Sequence, residues 1–201
     1  MFTGIVRHIG TIQDIKHSSR GAYLLLETKT SIKQIMLGSS VCVSGVCLTV
    51  AKKNGRKLWF DVMDETLQKT TIADWKKGDQ VHVEPSLRMG DEVGGHFVFG
   101  HVDTTGEIKE ITKLRNCRLL RVYLSKDMMK YIVPQGSVAI DGVSLTVAKV
   151  GKVDFMVSLV GYTLLHTTLK NLVKRDMVNI ECDMLAKYVV KQRMQNRQSK
   201  Q

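Results

Sequence analysis

The sequence predicts an all-β protein made of two tandem small closed barrels followed by a C-terminal α-helix. Three observations carry that reading. The chain repeats itself: Gly45-Val46-Cys47-Leu48-Thr49-Val50 returns as Gly142-Val143-Ser144-Leu145-Thr146-Val147, 97 positions later. Each half is a series of short runs rich in β-branched residues, separated by Gly, Asn, Lys or Asp clusters. The end of the chain changes to helical spacing.

The repeat extends well beyond those segments. Gly4-Ile5-Val6 corresponds to Gly100-His101-Val102, and Gly10-Thr11-Ile12 to Gly106-Glu107-Ile108, both 96 positions apart. From Val41 and Val138 onward the offset is 97. It persists through Thr66-Leu67 with Thr163-Leu164, Thr70-Thr71 with Thr167-Thr168, and Val81-His82-Val83-Glu84 with Val178-Asn179-Ile180-Glu181. A tandem duplication in one frame divides the chain into residues 1–95, residues 96–182 and a terminal segment 183–201.

In the first half the expected strand runs are Gly4 to Ile15, Tyr23 to Thr28, Ser40 to Lys52, Leu58 to Val62 and Gln80 to Glu84. Asn54-Gly55 is a hairpin signal, with Val150-Gly151-Lys152 as its counterpart. Asp64 to Thr71 and Thr163 to Leu169 read as helical turns. About six short strands per half cannot protect their edges in a flat sheet, so each half is expected to close. Asp183 is an N-cap candidate, and Met184, Leu185, Tyr188 and Val189 share a helix face. That face suits either an oligomer contact or packing against its own chain. Residues 195–201 read as a frayed polar tail.

Composition narrows the function classes. The 201 residues are 43% apolar, enough for a real core. No run approaches the roughly 18 apolar residues of a spanning helix, and no membrane role is expected. Met1 to Arg7 lacks the basic-then-apolar pattern of a leader, which predicts a cytoplasmic protein with reduced thiols. Cys42, Cys47, Cys117 and Cys182 form no C-x-x-C pair, and no metal is expected. The net charge of +11 comes from scattered basic residues, without a recognition-helix or glycine-aromatic pattern, so no nucleic-acid partner is expected.

Chemistry concentrates in two places. Gly94-Gly95-His96-Phe97-Val98-Phe99-Gly100-His101-Val102 joins the halves and carries two histidines five positions apart. Imidazole exchanges protons near neutral pH, although the spacing alone favours a satisfied structural histidine. Cys47 reads as a core thiol or a pocket group; Ser144 at its equivalent position favours a pocket, because a buried hydroxyl requires a partner. Thr49 and Thr146 share a strand face with them. Thr66 and Thr163 fit helix capping or turn bonding as well as ligand contact. No phosphate-binding loop, dinucleotide fingerprint or serine-hydrolase elbow is present.

Met1-Phe2-Thr3-Gly4-Ile5-Val6, the Gly45 to Val50 segment, Gly94-Gly95-His96, Gly100-His101-Val102 and Asp141 to Val147 together resemble the riboflavin synthase family of the alpha-chain type. The similarity runs on through Val178-Asn179-Ile180-Glu181 and Asp183. It implies two six-stranded Greek-key barrels and a C-terminal helix holding a homotrimer. It also implies a four-carbon transfer between two molecules of 6,7-dimethyl-8-ribityllumazine, without metal or cofactor. Association with lumazine synthase is a further implied partnership.

Carried over by motif, the catalytic positions are Phe2, Cys47, His96, His101, Ser144 and Asp183. The substrate-binding positions of one set are Gly4, Ile5, Val6, Cys47, Leu48, Thr49, Asp61, Val62, Met63, Asp64, Glu65 and Thr66. Those of the other are Gly100, His101, Val102, Gln135, Ser144, Leu145, Thr146, Leu159, Val160, Gly161, Tyr162, Thr163 and Leu164. Two positions depart from the family pattern. Val160-Gly161-Tyr162-Thr163 lacks a usual proline, predicting a looser loop, and Gln135 stands where a charged residue often precedes the glycine.

Rival classes are weaker. A non-catalytic lumazine- or flavin-binding protein needs only one intact pocket, and both look intact. A reductase flavin barrel carries Arg-x-Tyr-Ser, which Arg121-Val122-Tyr123-Leu124 breaks.

Overall fold

The structure, a computed structural model, describes residues 1–198. The first half contains β1 (His8–Ser18), β2 (Gly21–Thr28), β3 (Ser40–Val43), β4 (Val46–Asn54), β5 (Lys57–Met63), α1 (Asp64–Lys69) and β6 (Gln80–Pro85). The second repeats the pattern with β7 (Thr104–Lys113), β8 (Cys117–Tyr123), α2 (Lys126–Met129), β9 (Ser137–Ile140), β10 (Val143–Val150), β11 (Asp154–Val160), α3 (Gly161–His166) and β12 (Met177–Cys182). The chain then runs into α4 (Met184–Gln198); the last three residues of the expected tail lie outside the described residues.

Each half closes into a six-stranded antiparallel barrel, in the order β1-β2-β5-β4-β3-β6 and its equivalent β7-β8-β11-β10-β9-β12. The second strand of each barrel lies beside the fifth, the Greek-key arrangement. Closure removes the exposed ladder edges that six short strands would otherwise present. Alternation fills the interiors: Val46, Leu48 and Val50 point inward from β4, as do Val143, Leu145 and Val147 from β10. Cys47 and Ser144 therefore face the other side of their strands, half-buried, with Thr49 and Thr146 exposed beside them.

Three expectations about local structure are corrected. The strand-like run from Gly4 starts pairing only at His8, because residues 4–7 leave their own barrel to lie against the other half. Ser40 to Lys52 is two strands, broken at Ser44-Gly45. Both turn residues there take positive φ, 42° and 86°, as their counterparts Asp141 and Gly142 do at 46° and 77°. That is the geometry of the tight two-residue hairpin. The helix-capping threonines are Thr70 and Thr167, which accept from the N–H groups of Ile72 and Leu169, and not Thr66 and Thr163.

The barrels meet at those hairpins. A Cβ on Gly45 would lie 2.8 Å from the Gly142 nitrogen, and one on Gly142 2.7 Å from the Gly45 nitrogen, so only glycine permits this approach. Around it the two halves exchange equivalent hydrogen bonds. Asn179 donates from Nδ2 to the Ser44 carbonyl (2.8 Å) and accepts from the Thr71 N–H (2.8 Å). His82, at the matching position, bonds through Nδ1 to the Asp141 carbonyl (2.8 Å) and accepts at Nε2 from the Thr168 N–H (2.9 Å). An acceptor at Nε2 requires a neutral imidazole with its proton on Nδ1. Burial holds it there by lowering its pKa to about 4.

Candidate active site

The segments that open each half cross over to the other barrel. Phe2 and Val98 pair as an isolated bridge, Phe2 N–H to the Val98 carbonyl at 2.7 Å and the reverse at 3.0 Å. The Gly4 carbonyl accepts from the Ser144 N–H at 2.9 Å, and the Gly100 carbonyl from the Cys47 N–H at 2.8 Å. These contacts are so close that a Cβ on Gly4 would stand 2.6 Å from the Ser144 Cβ, and one on Gly100 2.6 Å from the Cys47 Cβ. Val6 accordingly packs in the core of the second barrel, and Val102 against that of the first.

A buried carboxylate anchors each crossing segment. Glu84, at the end of β6, accepts from the N–H of Thr3 (2.7 Å), the hydroxyl of Thr3 (2.7 Å) and the N–H of Gly4 (3.1 Å). Glu181, at the end of β12, accepts from the N–H groups of Phe99 (2.7 Å), Gly100 (2.8 Å) and His101 (3.1 Å). Burial raises the pKa of both acids, and the N–H donors oppose it. Neither glutamate is among the site residues the sequence suggests; their recurrence at one offset is the signal that could have found them.

The result in the first half is a cavity of 240 Å³ lined by Val46, Cys47, Glu65, Thr66, Lys69, Thr70, Gly100, His101 and Val102. Cys47, Glu65, Thr66, Gly100, His101 and Val102, named from different parts of the sequence, are thus brought together; Lys69 and Thr70 were not foreseen. His101 is exposed at the mouth, and its ring lies 6.1 Å from that of Phe99. Asp61, Met63 and Asp64 are also exposed, whereas Val62 and Leu48 point into the barrel core.

In the second half Ser144 meets the linker. Its Oγ lies 2.7 Å from His96 Nδ1, and a Cβ on Gly95 would come within 2.7 Å of the Ser144 Cβ. Burial depresses the His96 pKa, while the Asp183 carboxylate acts in the opposite direction. His96 Nε2 is buried and has no hydrogen-bond partner among the described residues. Asp183 itself caps α4, accepting from the Leu185 N–H at 3.0 Å. The Tyr162 and His166 rings stack at 4.0 Å on α3. Gly161 begins that helix, so the segment expected to be loose is a helical turn.

Other sequence-named positions fall differently. Leu145 and Leu159 belong to the second barrel's core, with Leu164 packed on it, and Val160 is exposed. Gln135 is exposed, with φ 63°, and its N–H donates to the Val147 carbonyl. Phe2 is fully buried with Cys42, Val98 and Ala139, against which Cys47 packs. Any influence it has on chemistry passes through the packing behind Cys47. Among the described residues, no three His, Cys, Asp or Glu side chains converge as a metal group.

The lumazine binding domain family matches the chain twice, over residues 3–86 and 99–183. The chain is 40% identical to riboflavin synthase of Brucella abortus (strain 2308), over 95% of this chain and 97% of that one. It is 39% identical to riboflavin synthase of Chlamydia pneumoniae, over 94% of each chain. Against riboflavin synthase of Bacillus subtilis (strain 168) identity is 35%, over 94% of this chain and 88% of the other. Among solved structures, LumP complexed with riboflavin superposes with a TM-score of 0.82 at 24% identity, covering 90% of this chain and 99% of that one. At that identity it shares the fold.

Proposed function

The chain belongs to the riboflavin synthase family, and from that premise we propose that it moves a four-carbon unit between two molecules of 6,7-dimethyl-8-ribityllumazine. The products are riboflavin and 5-amino-6-ribitylaminouracil. The observation that carries this reading is the retention of equivalent pocket walls in both halves: Gly100 against Cys47, and Gly4 against Ser144. A reaction consuming two identical molecules gains most from holding them in fixed mutual orientation.

The residues divide the work by chemistry. His101, exposed at the mouth of the first pocket, exchanges protons with the acidic C7 methyl of one lumazine. Ser144, bonded to a His96 that burial keeps neutral, assists addition at C7 of the other ring. Asp183 orients this pair electrostatically, and Cys47 contacts the ring in the first pocket. Leu185, Tyr188 and Val189, exposed on α4, support the reading that copies assemble through this helix as a homotrimer. Each barrel would then face the opposite barrel of a neighbour. A cytoplasmic setting and association with lumazine synthase complete the proposal.

The test mixes purified protein with the lumazine and follows riboflavin absorbance and green fluorescence. Stoichiometric formation of one riboflavin per two lumazines consumed supports the reading. Tight binding without conversion would instead indicate a lumazine-binding protein of LumP type.

A further inference from the structure

The peptide that carries His101 is tied to α4 through one lysine. Asp103, two residues beyond His101, accepts from the Cys182 N–H at Oδ2 (2.8 Å) and pairs with Lys187 Nζ at Oδ1 (2.7 Å). Both members of this ion pair are about four-fifths buried, with side-chain exposures of 21% and 20%. The same ammonium lies close enough to Glu181 to lower its pKa, and Glu181 receives the N–H groups of Phe99, Gly100 and His101. Asp103 N–H in turn donates to the Ile180 carbonyl at 2.9 Å.

The first half solves the same problem internally. There the cation near the clamping carboxylate is Arg7, carried by the crossing segment itself at the position equivalent to Asp103. In the second half the segment bears an acid at that position, which adds to the negative charge around Glu181. The neutralising cation must come from elsewhere, and α4 supplies it. Removing Lys187 would leave the Asp103 carboxylate without its ion-pair partner, close to a Glu181 whose charge burial already disfavours.

We propose that Lys187 is a positioning residue for the first pocket, acting through Asp103 and Glu181 to hold residues 99–102 against Cys47. Docking of α4 and the geometry of His101 are then one coupled event. Whatever covers the helix's exposed apolar face also steadies that pocket. The proposal rests on the pocket reading given above.

Lys187→Met tests it with the full-length chain, alongside Lys187→Arg and the exposed-lysine control Lys191→Met. In Lys187→Met, amide exchange at residues 99–101 accelerates about tenfold or more, while strands β2 and β5 keep their protection. Lumazine turnover falls about tenfold with the half-saturating concentration nearly unchanged, because geometry and not affinity is lost. Lys187→Arg restores both, and Lys191→Met changes neither. Unchanged exchange at residues 99–101 in Lys187→Met would overturn the proposal, as would uniform acceleration over the whole barrel. The exchange measurement needs no substrate, so it stands even if the wild-type protein proves not to convert lumazine.

Discussion

Where the first half lines its pocket with Glu65, Lys69 and His101, the second sets Tyr162, His166 and Ile5 at the corresponding positions. Glu65 and Lys69 form an exposed ion pair at 2.6 Å; Tyr162 and His166 form a stacked ring pair at 4.0 Å. Cys47 and Ser144 occupy equivalent strand positions, but the linker between barrels hydrogen-bonds its His96 to Ser144 and sets its His101 in the lining of the Cys47 cavity. One backbone frame thus presents a charged wall and an aromatic one. Under the proposed reaction that difference suits two copies of one substrate with unlike parts, one losing a proton where the other gains a bond.

The clamps should break this comparison most severely. Glu181→Ala would take the shared acceptor from the N–H groups of Phe99, Gly100 and His101, of which that of Gly100 is buried, and urea unfolding should show a loss of about 3–5 kcal/mol. Glu84→Ala should cost a similar amount, since it too serves three donors. If either substitution is silent, the carboxylate does not anchor its segment.

Ser144→Ala removes the partner of His96 Nδ1 and should lower kcat for lumazine conversion by about 100-fold. Cys47→Ala should lower it less, and steady-state kinetics on both variants rank the two pockets. Equal losses would mean that the thiol and the hydroxyl do the same job.

The interface between the halves offers its own control, because Asn179 already does in one direction what His82 does in the other. His82→Asn should cost under about 1 kcal/mol, whereas His82→Leu, leaving the Thr168 N–H unpaired, should cost about 2–3 kcal/mol. The fold lowers the His82 pKa from 6.5 to about 4. Between those values the unfolded chain holds the extra proton, so His82 contributes stability above pH 6.5 that is lost as pH falls toward 4. Asp141, raised from 3.8 to about 7, acts with the opposite sign, losing stability as pH rises through that range. The difference between the wild-type and His82→Asn stability curves isolates the histidine. It should rise with pH across the lower window, and a flat difference would remove His82 as the source.

The smallest effect should come from Gln135→Gly. Gln135 sits at φ 63° where the first half has Gly38 at φ 77°, and both N–H groups donate to equivalent carbonyls of β10 and β4. Relieving a left-handed side-chain residue should raise stability by about 0.5–1 kcal/mol in thermal or urea melts.

The duplication and strand content were legible because alternation and turn residues act locally. Asn54-Gly55 announced its turn, whereas Gly45 sat inside a run read as one strand, Ser40 to Lys52, which the left-handed Ser44 and Gly45 break in two. The helical face of Met184, Leu185, Tyr188 and Val189 was equally plain from spacing, yet α4's attachment through Lys187 was not. A lysine four residues past Asp183 carries no mark of the aspartate it will meet 84 positions earlier.

By itself the amino-acid order determined that there are two similar halves, that each is a closed set of short strands, and that Cys47 and Ser144 share a position. Tertiary structure alone decided that each opening segment serves the other half's barrel, that Glu84 and Glu181 clasp it, and that His96 reaches Ser144. The reason is range. Alternation and turn preference are written into neighbouring residues, whereas a buried carboxylate finds its three donors only after closed barrels bring distant backbone within about 3 Å.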